Sequence, residues 1–343
     1  MLITKDFPFV EDCHNRINDL LSNYYTDNQK DFSALLEPLN RALFYSRRRL
    51  RSLLVYCGAG VVGGIPENAD WIAVLYEIIT ASYVLIDDSI IFDSGKERAN
   101  LPTPRIEYGE IPAILSACIL QLEPLFLLTK QQIEYSELNK LSKIFYESAS
   151  NTVKGSYAEH KLSSLPKGTL IDEHKIIEAS SLLTSSLLIG AITSGGIIGG
   201  GTNHQIDELS NFAANFGIAY QLSDHIVDLM VNNEQTGKDN FSDIKNNQIN
   251  LVVNYSLQIL PFDSSARKEI INILGSHPSL DMQLKLKEIF QETGAIQHCL
   301  DIISQYNALA TSSLQQLPDN KYRDFLMKLP DIYFEQLISN MKE

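Results

Sequence analysis

The sequence has few cysteines and no surplus of positive charge. Its four cysteines, Cys13, Cys57, Cys118 and Cys299, lie far apart in 343 residues, so no close pair can form a zinc or redox motif. The 28 Lys and Arg residues are outnumbered by 42 Asp and Glu residues, which gives a formal net charge of −14. Binding to a nucleic-acid backbone needs clustered positive charge, so nucleic acid is not expected as a partner.

Long apolar runs and a secretory signal are also missing. Residues 1–6 lack a basic stretch followed by an apolar run, and no window reaches about 18 uninterrupted apolar residues. We therefore expect a cytoplasmic protein without a transmembrane segment. Because 44% of the residues are hydrophobic, the chain can bury a substantial core, which we expect to be a single domain over residues 1–343.

Alternating strand patterns are scarce, and helical periodicity dominates. Leucine, isoleucine and alanine recur every three to four residues. The clearest stretches are 105–150, 170–200 and 205–232. Segments 180–200 and 209–222 are apolar or small nearly all round, which is typical of helices enclosed by other helices, while glycines at 195–201 suggest a connection. We predict an all-α fold, a single large helical bundle with a central cavity.

Carboxylates gather twice on an apolar background. The first cluster is Asp87, Asp88 and Asp93, and the second is Asp224 and Asp228. The last two lie four residues apart and therefore project from one face of a helix. Buried, ionised carboxylates need a compensating cation, and magnesium is usually shared between one or two carboxylates and a substrate phosphate. A solvated helix end explains either cluster alone but not both, so we expect them to hold one diphosphate between them.

In order and spacing, these motifs resemble the trans-isoprenyl diphosphate synthase (polyprenyl synthetase) family. Residues 77–103 look like the family's first aspartate-rich motif in its longer-spaced form. Residues 221–228, followed by Thr-Gly-Lys at 236–238, resemble the second motif. Residues 46–56 are similar to the Gly-Gly-Lys-Arg-x-Arg-Pro segment. The chain is thus identified as a divergent class I isoprenoid enzyme, which implies the isoprenoid synthase type of helical bundle.

The resemblance also implies a reaction and a set of site residues. The protein would be a magnesium-dependent enzyme that ionises an allylic prenyl diphosphate of 10 to 20 carbons and releases pyrophosphate. The five aspartates would bind three Mg²⁺ ions, and the catalytic residues would be Asp87, Asp88, Asp224 and Gln221. Residues implied to bind the allylic diphosphate are Arg98, Lys238 and Lys175, and those for the second substrate's diphosphate are Arg48, Arg51 and Thr80. Tyr83 would form the floor that limits chain length, and a homodimer is expected through helices near the first motif.

Departures from the family affect the second-substrate site. Thr80 stands where the family has His or Gln, and Ala99 replaces the second arginine of an Arg-Arg pair. One of the two lost contacts is a charge-assisted hydrogen bond, worth about 1.5–3 kcal/mol. Affinity for isopentenyl diphosphate should therefore be reduced.

Other departures lie on the allylic side. The family's Lys-Thr pair reads Glu178-Ala179 by spacing, although Lys175, one turn earlier, is the other candidate for that lysine. Glu159 stands where an aspartate is common, and the late lysine falls at Gln248. His225 replaces the second Asp of the second motif. Taken alone, it is typical of a histidine on the helix surface or beside a site rather than of a metal ligand.

Three functions stay open on this sequence. An enzyme that cyclises its substrate, like a terpene synthase, or transfers it to an acceptor other than isopentenyl diphosphate is favoured by the thinned second site. An ordinary short-chain synthase that makes farnesyl or geranylgeranyl diphosphate is favoured by Arg48 and Arg51. A non-catalytic subunit of a heteromeric synthase is the third, and the five retained aspartates argue against it.

Overall fold

Helices make up nearly all of the structure, a computed structural model that describes residues 6–28, 33–45, 48–91, 97–98, 101–231 and 240–342. The first half contains α1 (Phe9–Asn28), α2 (Ser33–Tyr45), α3 (Leu50–Val61), a 3₁₀ turn (Pro66–Ala69), α4 (Asp70–Ile86), two short antiparallel strands, β1 (Glu97–Arg98) and β2 (Leu101–Pro102), then α5 (Pro104–Tyr108), α6 (Glu110–Thr129) and α7 (Tyr135–Ser163). The second half contains α8 (Glu173–Ser180), α9 (Ser186–Ile198), α10 (Asn203–Met230), α11 (Ser242–Lys245), α12 (Leu251–Ile259), α13 (Ser265–Ile273), α14 (Leu280–Glu292), α15 (Ala295–Ser313) and α16 (Lys321–Lys342). The predicted all-α fold is confirmed.

Side-chain caps fix where the helices around the centre begin. At the start of α10, Thr202 accepts a hydrogen bond from the Gln205 backbone amide, and the Gln205 side chain accepts one from the Thr202 amide. Asp172 caps α8 in a similar way, and Asn250 caps α12. Each such cap contributes about 0.5–2 kcal/mol by satisfying amides that have no partner inside the helix.

Helix α9 is enclosed, as its apolar sequence predicts, and glycine lets it approach α3 backbone to backbone. A Cβ atom on Gly195 would lie 2.0 Å from the carbonyl oxygen of Val55, and one on Gly58 would lie 2.1 Å from that of Ile192. The prediction of a connection at 195–201 is therefore wrong for its first part, because α9 continues to Ile198. Gly195 serves helix packing rather than a turn.

Helix α10 links two groups of buried apolar residues. Its first half, including Phe212 and Phe216, packs in a core with α1–α4, α6, α7 and α9. Its second half, including Leu222 and Ile226, packs in a core with α8 and α12–α15. The polar motif at 221–228 thus lies on a helix that is anchored by apolar packing at both ends.

Within the described residues, three helical runs could cross a membrane by length and composition alone. They are Pro66–Ser89, Glu110–Thr129 and Glu173–Ile198. In the first and third, 67% of the apolar window is buried inside the protein, so core packing accounts for its composition. In the second only 39% is buried. The absence of a spanning segment stays a prediction from the sequence pattern.

A buried ion pair fixes the start of α3. Arg49 Nη1 lies 2.9 Å from Glu77 Oε2 on α4, and both side chains are almost fully buried. Arg49 also donates to the carbonyl oxygen of Leu43 at 2.7 Å and to Asn18 Oδ1 at 3.0 Å, while the Ser52 amide donates to Glu77. These bonds join α1, α2, α3 and α4, and they hold the arginine-rich segment against α4.

We predict that Glu77→Leu lowers the free energy of unfolding by about 3–5 kcal/mol, because it leaves the Arg49 charge buried without its partner. Urea denaturation would measure the change. The matched control is Glu147→Leu, since Glu147 pairs with Lys143 on the exposed face of α7 and should lose no more than about 1 kcal/mol. Equal losses in the two variants would contradict the prediction.

Candidate active site

The first aspartate cluster lies where α4 ends. The predicted position of Asp87, at the end of the buried apolar helix, is confirmed, and residues Asp87–Ile91 continue as a π-helical turn, a feature that is frequent at functional sites. Asp88 is buried and receives Arg98 from β1, whose Nη2 lies 2.7 Å from Asp88 Oδ1 and whose Nε lies 3.1 Å from both carboxylate oxygens. The structure therefore brings Arg98 to the first cluster. Asp93 lies outside the described residues.

The second cluster lies along α10, with Gln221, Asp224 and Asp228 at helical spacing on that one helix. Asp228 accepts hydrogen bonds from the Ser242 amide at 3.0 Å, from the Ser242 hydroxyl at 2.6 Å and from the Asp243 amide at 3.1 Å. It thereby fixes the start of α11. Lys238 lies outside the described residues.

Two further carboxylates, Glu159 on α7 and Asp243 on α11, join these clusters. Glu159 is buried, and its pKa is raised to about 8 by burial and by the charges of Asp243 and Asp87, against a hydrogen bond from Gln248. The pKa of Asp228 is raised to about 7 by burial and by Asp243, despite the hydrogen bonds from α11. We call Asp87, Glu159, Asp228 and Asp243 the carboxylate group. Spacing placed Glu159 at an aspartate position of the family, but neither it nor Asp243 was predicted as a site residue.

The carboxylate group has the donor chemistry that magnesium prefers. Its raised pKa values show negative charge that nearby lysines or arginines do not compensate. Among the described residues, no three carboxylate, imidazole or thiol groups converge on one point as a preformed metal site would require. This arrangement fits Mg²⁺ ions that each take one or two carboxylates and complete their coordination with water and a substrate phosphate.

Helix α8 does not bring a lysine into the carboxylate group. Lys175 and Glu178 are both exposed, and among the described residues neither forms an ion pair. Ala179 is buried instead, and together with Glu159, His225 and other residues it lines a small cavity. Lys175 lies four residues before Ala179 and therefore on the same side of the helix, so its role toward the allylic diphosphate stays a prediction.

His225 is buried rather than on the helix surface. Burial lowers its pKa to about 4, so its imidazole is neutral at pH 7. Its Nε2 lies 3.5 Å from Gln221 Nε2, and its Nδ1 has no partner among the described residues. Gln221 is oriented from the other side, because its Oε1 accepts a hydrogen bond from the Thr184 hydroxyl.

A second cleft of about 430 Å³ lies between α3, α4, α9 and α10. It is lined by Arg48, Leu50, Arg51, Glu77, Thr80, Thr184, Leu188 and Tyr220. The three residues predicted for the second substrate's diphosphate are therefore brought together. Thr80 differs in availability from the arginines, because its hydroxyl donates to the carbonyl oxygen of Tyr76 at 2.6 Å.

The cleft has a positive character in an acidic protein. Its carboxylate, Glu77, is already paired with Arg49, which leaves the charges of Arg48 and Arg51 facing the cleft. Burial lowers the pKa of Arg51, and its Nε has no partner among the described residues. Asp224 interacts electrostatically with both arginines, so it stands on the cleft side of α10.

Tyr83 bridges two helices one turn before Asp87. Its hydroxyl donates to the carbonyl oxygen of Ala149 on α7 at 2.8 Å, and burial raises its pKa to about 12. The ring therefore spans the gap between α4 and α7 below the first cluster. This position fits a floor but does not test the predicted effect on chain length.

Comparison with known proteins gives consistent results. A sequence profile of the Polyprenyl synthetase family matches residues 33–293. The chain is 24% identical over 305 residues to a geranylgeranyl diphosphate synthase of Sulfolobus acidocaldarius, covering 88% of this chain and 89% of that one. It is 29% identical over 244 residues to a farnesyl diphosphate synthase of Haemophilus influenzae, covering 68% and 80%. A geranylgeranyl pyrophosphate synthase from Corynebacterium glutamicum, solved with isoprenyl diphosphate and magnesium, superposes with a TM-score of 0.84 at 20% identity, covering 96% and 98%.

The carboxylate group predicts a pH-dependent stability when divalent cations are removed. Glu159 and Asp228 have ordinary pKa values of 4.5 and 3.8, so between about pH 4 and 8 the folded protein binds more protons than the unfolded chain. The free energy of unfolding should therefore fall as the pH rises through this window, by at most about 1.4 kcal/mol per pH unit for each group.

Urea denaturation in EDTA from pH 5 to pH 8 measures this fall. Glu159→Gln should flatten it, while the control Glu147→Gln, on the exposed face of the same helix, should retain the wild-type slope. Magnesium should restore more stability at pH 8 than at pH 6. A Glu159→Gln slope equal to that of wild type would refute the assignment.

Proposed function

Because the chain belongs to the polyprenyl synthetase family, we propose that it is a short-chain prenyl diphosphate synthase that condenses an allylic diphosphate with isopentenyl diphosphate. The observation that supports this best is the presence of two adjoining sites for anions. One is the carboxylate group, which suits a diphosphate bound through magnesium. The other is the cleft with Arg48 and Arg51, which suits a diphosphate bound directly.

The allylic diphosphate is assigned to the first site. Asp87, Asp88 and Asp93 on one wall and Asp224 and Asp228 on the other would hold the magnesium ions, three by resemblance. When bound, magnesium supplies positive charge that stabilises the departing pyrophosphate. Arg98 and Lys238 would bind the same phosphates, and Arg98 already lies beside Asp88.

The second site argues for condensation over cyclisation. A cyclase needs one diphosphate site, whereas this chain also orients two guanidinium groups into a separate cleft. With the Thr80 hydroxyl bonded to the backbone and Ala99 lacking a charge, we expect binding of isopentenyl diphosphate to be weaker than a full family site would give.

In the proposed reaction, the allylic carbon–oxygen bond breaks and pyrophosphate leaves with the electron pair. The double bond of isopentenyl diphosphate attacks the resulting cation, a new carbon–carbon bond forms, and a proton is lost. Apolar helices around the site exclude water from the cation. Gln221, held by Thr184, lies beside both sites and would orient its amide toward the reacting carbons.

The product is proposed to be short. Tyr83 closes the space between α4 and α7 one turn below Asp87, so the growing chain meets a ring after a few isoprene units. We expect products of 15 or 20 carbons. The proposed enzyme is cytoplasmic and forms one domain, as expected from the sequence.

We predict that purified protein with Mg²⁺ and geranyl or farnesyl diphosphate turns over only when isopentenyl diphosphate is added. Pyrophosphate release and mass spectrometry of the extracted products would measure this. Asp87→Asn and Asp224→Asn should each lower kcat by at least about 10²-fold, since each removes charge that holds the leaving group's counter-ions.

Other outcomes of this assay separate the alternatives. Pyrophosphate together with a hydrocarbon or alcohol formed without isopentenyl diphosphate would establish the cyclase or other-acceptor reading and refute condensation. No turnover under any condition would favour a non-catalytic subunit. Glu147→Asn, on the outer face of α7, is the control and should keep wild-type activity.

We also propose a homodimer through α6 and α7. Exposed apolar residues occupy one face of α6, including Ile111, Leu115, Leu122 and Phe126, and Tyr146, Val153 and Tyr157 occupy one face of α7. Contiguous apolar surface of this kind marks an interaction site in a soluble protein.

Light scattering coupled to size-exclusion chromatography should give about twice the 38.5 kDa chain mass. Leu122→Glu, which places a charge in the middle of the apolar face, should shift the protein to monomer, while Lys130→Glu at the end of α6 should not. A wild-type monomer would rule out this assembly.

A further inference from the structure

The C-terminal helix α16 reaches the second cleft through Tyr333, a residue that the motifs did not single out. The guanidinium carbon of Arg48 lies 5.8 Å from the centre of the Tyr333 ring. Tyr333 in turn packs edge to face on Tyr220 of α10, with ring centres 5.2 Å apart, and on Phe216 at 5.8 Å. Both tyrosine hydroxyls accept hydrogen bonds from Arg48.

These contacts restrain an arginine that would otherwise be mobile. The side chain of Arg48 is exposed at the mouth of the cleft, and its residue precedes α3 rather than lying within it. A long side chain at such a position has many rotamers, and fixing one of them before the ligand arrives removes part of the entropy cost of binding. Arg51, by contrast, is fixed by burial inside α3.

We infer that Tyr333 is a positioning residue of the second-diphosphate site, which holds the Arg48 guanidinium across the cleft from Arg51 so that both face one anion. Tyr220 completes the clamp and itself lines the cleft. Each phenol accepts from Arg48 and keeps its own hydrogen, so the Tyr220 hydroxyl is free to donate to a phosphate oxygen. This inference rests on the proposed function, because it names the ligand as the diphosphate of isopentenyl diphosphate.

The electrostatic surroundings agree with this geometry. Burial lowers the pKa of Arg48, but Tyr220, Tyr333 and Asp224 outweigh it, and the pKa is raised overall. The guanidinium thus stays charged at the cleft mouth. The clamp also offers a physical reason why Thr80 and Ala99 are tolerated, since a fixed Arg48 and the Tyr220 hydroxyl replace part of the lost contacts.

The test is a double-mutant cycle with Tyr333→Phe and Arg48→Gln, read as KM for isopentenyl diphosphate. Tyr333→Phe keeps the ring packing and removes only the hydroxyl. We expect KM for isopentenyl diphosphate to rise about fivefold to tenfold, the loss typical of one hydrogen bond to a charged group. The kcat and the KM for the allylic substrate should stay within twofold. In the Arg48→Gln background the same change should have less than a twofold effect, because its target is absent.

The matched control is Tyr322→Phe, on the same helix, whose ring packs against Phe9 away from the cleft. It should leave both KM values unchanged. An effect of Tyr333→Phe that persists in full without Arg48, or a rise in KM of less than twofold in the wild-type background, would overturn the inference.

A binding measurement separates this inference from the proposed reaction. Calorimetric titration with isopentenyl diphosphate or inorganic pyrophosphate in EDTA, without allylic substrate, reports the cleft alone, because the metal-free carboxylate group repels anions. If wild type binds but does not condense, and Tyr333→Phe weakens binding, the reaction is refuted and the clamp stands. If wild type binds neither anion, the clamp is refuted.

Discussion

Repulsion between carboxylates at the meeting point of α4, α7, α10 and α11 is the constraint on which the site depends. Asp87, Glu159, Asp228 and Asp243 come from four separate elements, and apolar packing of those helices forces them together. The fold therefore holds negative charge that it does not neutralise with lysine. Such an arrangement persists only if cations or protons compensate it, which links metal binding to stability and to the reaction.

The opposite charge is kept a short distance away by a separate device. Arg49 neutralises Glu77 inside the bundle, and this pair lets Arg48 and Arg51 present their charges to the cleft. Asp224 lies between the two regions and interacts with both arginines. The two sites are thus neighbours with opposite demands, one recruiting cations and the other an anion, which is the arrangement that joining two diphosphate substrates requires.

Departures from the family follow the same electrostatic logic. Ala179 and Gln248 stand where lysines or their neighbours are expected, and His225 replaces an aspartate. Because burial keeps His225 neutral, the loss of positive charge on α8 is accompanied by the loss of a negative charge on α10. The local balance changes less than the individual substitutions suggest.

The sequence alone determined the helical class, the two aspartate motifs and the residues Arg48, Arg51 and Thr80 that share one cleft, because periodicity and short-range spacing are local properties of the chain. It did not place Glu159, Asp243, Thr184 or Tyr333, whose partners lie far away along the chain. It also misread the glycines near 195, since glycine marks a turn and a close helix contact in the same way. Only the tertiary structure decided which carboxylates repel one another and which tyrosine reaches Arg48, because those facts depend on how distant helices pack.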